Sequence, residues 1–266
     1  MKTVLYNIFA IYRRETMSYF ASPLAYTIAA IFWLIAGFLF TATLDAIVQQ
    51  AAQYDQATAA GVTTAPIDIP YEFIRTILGV IGSLSLFVLP MLSMGLYAEE
   101  RKRGTLELLA TSPLTNWSVA IGKLLGVLTF FFTMSLPLLI YEAIALSSVN
   151  PPIQPSVLLL GHGGLLLLAA SILSLGMFIS SLTDSTILAA IFTFALVLVL
   201  WVLDLITKSF GGVWGDAIGH LSLLKHYTTL TQGILDPSSL VLFASYIVLG
   251  IFLTAQSIDA LRFQRS

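Results

Sequence analysis

The densest group of ionisable side chains in this sequence is Glu99, Glu100, Arg101, Lys102 and Arg103. Two carboxylates followed by three cations bind other charged surfaces; they are not a nucleophile with its base. Gly104 comes next and permits a sharp turn. Thr105 is then placed to cap a short helix through Leu106, Glu107, Leu108, Leu109 and Ala110, which Pro113 prevents from continuing. Such a helix would lie across the ends of two membrane spans. Its leucines beside a charge cluster suit a docking surface for a partner, or packing onto the protein's own helices.

Other chemistry is thinly represented. Glu142 and Asp204 fall inside apolar runs, where acids are candidate proton carriers or substrate contacts along a pathway; both also fall near a predicted membrane face, where water is close. His162, His220 and His226, with Asp216, could in principle gather a metal, but their spacing matches no ligand motif. A phosphate-binding loop needs Gly-x4-Gly-Lys-Ser/Thr, and Gly122-Lys123-Leu124 has neither the preceding glycine nor the following hydroxyl. No HExxH or GxSxG occurs, and there is no cysteine. The expected catalytic, cofactor and metal residues are therefore none, and the chain is expected not to be an enzyme.

The elements that must position these groups are set by lipid. Of 266 residues, 58% are hydrophobic and 10% charged, against about 45–50% and about 25% in soluble domains. The excess is gathered into charge-poor runs, and backbone amides in hydrocarbon must bond within their own segment, so each run predicts a helix. Six are expected, near Leu24–Leu44, Phe73–Leu96, Val119–Leu146 (with a kink at Pro137), Val157–Ile179, Thr186–Ile206 and Leu240–Leu261. The fold class is an all-α membrane protein, one transmembrane domain over 1–266. Nine of the 12 basic residues (Lys2, Arg13, Arg14, Arg101, Lys102, Arg103, Lys123, Arg262, Arg265) fall on one side and three (Arg75, Lys208, Lys225) on the other. That bias places both termini in the cytoplasm. The first outer loop, Asp45 to Glu72, is expected to be loosely structured at its middle. The net charge of −2 offers no basic stripe for nucleic acid.

Residues 1–20 read as an amphipathic helix lying in the cytoplasmic interface, not as a cleavable signal, because Asn7 and Arg13–Arg14 interrupt the apolar residues. Val4, Leu5, Ile8, Phe9, Ile11, Tyr12 and Tyr19 share one face; Thr3, Asn7, Arg14 and Ser18 share the other. Glu15 falls on the apolar face. It is either the buried partner of an arginine from a neighbouring segment or a snorkelling carboxylate.

The stretch EERKRGTLELLATSPLTNWSVAIGKLL resembles the signature of ABC-2 type transporter permeases, through Glu99, Glu100, Arg101, Gly104, Thr105, Leu106, Glu107, Leu108, Leu109, Ser112, Pro113, Gly122 and Lys123. Arg14-Glu15 with Tyr19-Phe20-Ala21-Ser22-Pro23 is similar to the family's entry into its first span. The late segments around Leu221–His226 and Gln232–Asp236 are also similar to the family. The branch it most resembles is the small six-span permeases of the gliding-motility and nitrous-oxide-reductase-maturation type.

The resemblance implies a permease half in the cell (inner) membrane, paired with a second half and with two cytoplasmic ATPase subunits that hold ATP and magnesium. It implies that 98–115 is a coupling loop seated in the ATPase, and that 207–239 forms short re-entrant outer helices. An exporter is the expected activity. Two other readings stay open: an ion-coupled carrier using Glu142 and Asp204, and a non-transporting membrane anchor for a soluble complex.

Overall fold

The computed structural model describes residues 2–62, 68–106, 114–147, 149, 154–209 and 219–263; for 2, 204–209 and 261–263 it describes the backbone. Among the described residues the chain is helical throughout, without strands. In chain order the helices are α1 Lys2–Phe20, α2 Pro23–Ala59, α3 Ile69–Ser93, α4 Gly95–Lys102, α5 Asn116–Ser147, α6 Pro155–Leu182, α7 Thr186–Ser209, α8 Leu223–Thr231 and α9 Pro237–Phe263. Among the described residues, six spans are long and apolar enough to cross a membrane: α2, α3 continued by α4, α5, α6, α7 and α9. The protein is a multi-pass membrane protein, as the apolar runs predict.

The central helix is α6. It packs against α3, α4, α5, α7, α8 and α9, and most of its side chains are buried. In contrast, α2 and α7 leave large apolar side chains such as Trp33, Leu34, Phe38, Ile187 and Phe192 exposed, as lipid or another chain requires of a membrane surface.

The element boundaries arise from local chemistry. Ser22 caps α2, accepting from the Ala25 amide, and Pro23 occupies the first turn, where its missing N–H costs nothing. Asp68 caps α3 in the same way, accepting from Tyr71 at 3.1 Å. The 37 residues of α2 make a rod of about 55 Å, much longer than the roughly 30 Å hydrocarbon layer. The outer loop expected from Asp45 to Glu72 is therefore corrected over its first half, while 63–67 lie outside the described residues. Helix persists to Ala59, because the segment is rich in alanine and glutamine, which favour helix without needing a core. In the third span, α5 runs unbroken through Pro137. The α6–α7 connection is shorter than the sequence suggests, since α6 continues through Ser180 and Ser181 to Leu182.

The second span breaks at Met94, one turn after Pro90. Restarting a helix exposes amides that hydrocarbon cannot satisfy. Ser180 of α6 supplies the remedy: its Oγ accepts from the Tyr97 and Ala98 amides at 3.1 and 3.0 Å and donates to the Met94 carbonyl at 2.8 Å. From α4, Arg101 donates to the Ser181 carbonyl at 2.6 Å, a cation on the carboxyl end of α6. Two consecutive serines thus fix α4 against the central helix.

Candidate functional site

Helix α4 carries the acidic-basic cluster, and three helices converge on it. α1 lies along α5 at very short range because Gly122 and Gly126 give it room. A Cβ on Gly126 would stand 2.7 Å from Glu15 Cβ, and one on Gly122 2.7 Å from Ile11. The buried face of α1 is built from Ile8, Ile11, Tyr12, Glu15 and Tyr19, while Val4, Leu5 and Phe9 stay exposed. Tyr19 donates to the Leu92 carbonyl at 2.6 Å. Its phenol is pushed above the ordinary tyrosine range, first by burial and then by the nearby Glu15 carboxylate.

At the centre of the contact stands Lys123, with a side chain only 3% exposed. Its Nζ donates to Glu15 Oε1 at 3.0 Å and to Glu100 Oε1 at 2.9 Å, and it sits 5.0 Å from the centroid of the buried Tyr97 ring. Arg14 reaches Glu100 from the rim at 3.9 Å. The buried partner of Glu15 is thus a lysine of the third span rather than an arginine. One ammonium on α5 is shared between a carboxylate of α1 and a carboxylate of α4. Charges withdrawn from water in this way persist only when paired and hydrogen-bonded. Among the described residues, Glu100 Oε2 and the Tyr97 hydroxyl have no hydrogen-bond partner here. At the same end Asn116 of α5 donates to Asp259 of α9 at 2.6 Å.

The remaining residues of the predicted cluster divide in two. Glu99 faces outward and pairs with Arg103 at 3.3 Å. Gly104 adopts φ +70°, the left-handed conformation its lack of a Cβ permits. Thr105, expected to cap the next helix, turns its hydroxyl back and donates to the Glu100 carbonyl at 3.2 Å. Leu106 is buried in the main core. Glu107, Leu108 and Leu109 lie outside the described residues.

Glu142 and Asp204 are not brought together by any described contact. Glu142 lies on the buried face of α5; among the described residues neither carboxylate oxygen has a hydrogen bond, and His162 Nδ1 stands 3.8 Å away. That nitrogen also lies 3.2 Å from the Leu158 carbonyl. Asp204 belongs to α7, but its side chain lies outside the described residues.

At the same end as Glu142, α8 is held by two knobs. Tyr227 donates to the Leu78 carbonyl at 2.6 Å and fills the notch left by Gly82; Leu230 fills the one left by Gly164. His226 Nδ1 meets Ser239 Oγ at 2.8 Å, and burial pulls the imidazole below its ordinary range. Of the expected outer segment, 210–218 lies outside the described residues. Among the described residues no three His, Asp or Glu side chains gather as metal ligands.

Comparison with known proteins adds an independent line. The pattern of the family described as "ABC-2 family transporter protein" matches residues 40–215. Two curated relatives, each described as "Probable multidrug ABC transporter permease YbhR", come from Escherichia coli strain K12 and Escherichia coli O157:H7. Each is 26% identical over 173 residues, covering 63% of this chain and 44% of the relative. The chain thus matches less than half the length of these relatives.

Proposed function

The chain belongs to the ABC-2 transporter family, and from that premise we propose that it is the permease subunit of an ATP-driven exporter whose ATPase is a separate chain. The observation that carries this reading is the Lys123 node. It joins the first helix, the charged helix α4 and the third span in the first turn of the coupling loop, directly before the bend at Gly104. A force applied to that loop by a partner would reach α1 and α5 through buried ion pairs and α6 through Ser180 and Arg101. The interface is a rigid lever more than a flexible tether.

In this reading 98–115 is the coupling loop, with Glu99, Glu100, Arg101, Gly104, Thr105, Leu106, Glu107, Leu108 and Leu109 contributing to it. Arg14 and Glu15 brace it from the interface helix. Both termini face the cytoplasm, the membrane is the inner one, and 207–239 forms the re-entrant outer segment of a single permease domain. Two ATPase subunits close on ATP and magnesium, drag their coupling helices, and rock two permease halves between states that differ in access. The pathway runs between the halves, along faces of α2, α3 and α7.

The test is purification of the tagged chain from its own cell in mild detergent, with identification of the proteins that accompany it and an ATP-hydrolysis assay. A stoichiometric partner bearing a phosphate-binding loop, lost with Leu109→Asp or uncoupled by Glu100→Ala, supports the reading. Full coupled activity in both variants refutes the coupling loop. A second reading, an ion-coupled carrier, is favoured by the unpartnered Glu142 beside His162. A chain that purifies alone without ATPase activity, and loses pH-dependent transport as Glu142→Gln, would establish that alternative.

A further inference from the structure

A cavity of about 320 Å³ opens between the α1–α2 elbow and the α3–α4 bend. It is divided by chemistry. On one side stand Arg14, Glu99, Glu100 and Arg103, with Lys123 and Glu15 behind them; on the other are Leu24, Ile28 and Met91. Leu24 and Met91 are themselves exposed. The apolar side continues along the open face of α3. Phe87, Leu84 and Val80, facing Leu39 of α2, border a second groove of about 550 Å³. A polar recess flanked by the exposed apolar side chains Leu24, Met91 and, one turn along α3, Phe87 matches an amphiphile with its chains in the membrane.

The charges narrow the class. The recess holds three cations and three carboxylates. Lys123 is consumed by Glu15 and Glu100. Arg14, 3.9 Å from Glu100, and Arg103, paired with Glu99 at 3.3 Å, lie at the rim with side chains 71% and 73% exposed, where an incoming headgroup can exchange with these solvent-exposed pairs; Glu99 is half exposed. A purely anionic group would meet the guanidinium groups but be repelled by Glu99 and Glu100. A group bearing both a phosphate and an ammonium matches both signs.

We propose that this recess binds the headgroup of a zwitterionic phospholipid of the ethanolamine type, phosphate toward Arg14 and Arg103, ammonium toward Glu99, acyl chains over Leu24, Met91 and Phe87. The binding stands on the recess alone. Only its use as a lateral entry for a lipid-like substrate rests on the permease reading.

The experiment is native mass spectrometry of the full chain in detergent, titrated with dioleoyl phosphatidylethanolamine, dioleoyl phosphatidylglycerol and soluble phosphoethanolamine. No ATPase is present, so failure here leaves the permease reading untouched. The ethanolamine lipid is expected to bind more tightly than the glycerol lipid, and soluble phosphoethanolamine far more weakly than either. Arg14→Gln with Arg103→Gln should weaken the ethanolamine lipid by about tenfold, the loss expected for a charge-assisted hydrogen bond. Leu24→Trp, which fills the recess and leaves its charges, should weaken it as well, while Arg75→Gln, at the far end of the second groove, should not. Circular dichroism and gel filtration confirm that each variant is folded. Equal binding of the two lipids, equal binding of the soluble headgroup, or wild-type binding by both recess variants overturns the proposal.

Discussion

Replacing Lys123 with methionine keeps the length and packing of the side chain but leaves Glu15 and Glu100 facing one another. Their side chains are 12% and 16% exposed, so water reaches them poorly. At an effective permittivity near 20, each contact at about 3 Å carries roughly 5 kcal/mol of gross attraction. Desolvation of three charges offsets much of it, and breaking a buried pair by removing one partner costs about 3–5 kcal/mol net. For a chain of this size that corresponds to a fall in Tm on the order of 10 °C, to be followed by intrinsic tryptophan fluorescence. Hydrogen exchange should rise in α1 more than in α6, because α1 is held chiefly by α5. The triple variant Lys123→Met, Glu15→Gln, Glu100→Gln removes the stranded charges and should recover most of the loss. A single variant within about 0.5 kcal/mol of wild type, the range of ordinary surface changes, or a triple variant as unstable as the single, would refute the argument that the lysine neutralises two buried carboxylates.

Gly126→Leu should displace α1, since even a Cβ meets Glu15 at 2.7 Å; faster amide exchange confined to α1 is the expected readout. Ser180→Ala leaves the Tyr97 and Ala98 amides without their acceptor and should cost about 2–6 kcal/mol by chemical denaturation, from about 1–3 kcal/mol per stranded group. Glu142→Met should raise the Tm, because it replaces a carboxylate with two unpartnered oxygens by an apolar group of similar length; a fall would show that the carboxylate is satisfied. His226 has its folded pKa below the ordinary value near 6.5 because burial favours the neutral ring. Its contribution is therefore present above about 6.5 and lost as pH falls through the lower folded value; acid-dependent loosening of α8 by hydrogen exchange should be blunted in His226→Asn.

The spans were legible because hydrocarbon imposes one solution on a charge-free run of sufficient length. Their ends were less so. Hydropathy stopped the first span at Leu44, yet alanine and glutamine carried the helix to Ala59 through backbone propensity, a signal present in the sequence but invisible to hydropathy. Ser180 and Ser181 read as the start of a connection, whereas they serve as hydrogen-bonding residues inside α6. Polarity alone does not separate a solvated serine from one that satisfies a broken neighbouring helix. Glu15 was visible as a misfit on an apolar face. Its counterpart, Lys123, was visible as a basic residue heading an apolar run. Each charge is costly alone, and the pair is the arrangement that makes both tolerable. No local pattern joins two residues 108 positions apart; the glycines at 122 and 126, which let α1 approach, were the remaining clue.

This arrangement also bears on why the charge cluster stands where it does. In the proposed permease, a coupling element must be firmly tied to the spans it moves, or the partner's work is dissipated in local bending. The α3–α4 break works against this, because a helix interrupted at Met94 is a natural hinge. Around that break the protein concentrates the Ser180 bridge, the Arg101 cap on α6 and the shared Lys123 ammonium. These three ties come from α6 and α5, not from α3 itself. Across the break α4 is thereby held with α1, α5 and α6 as one hydrogen-bonded body. Motion delivered at Gly104, whose left-handed turn closes off α4, would be transmitted to that body as a whole. Loosening any one tie should then weaken coupling before it weakens folding, so Ser180→Ala should lower partner-stimulated turnover under conditions where the chain remains fully helical.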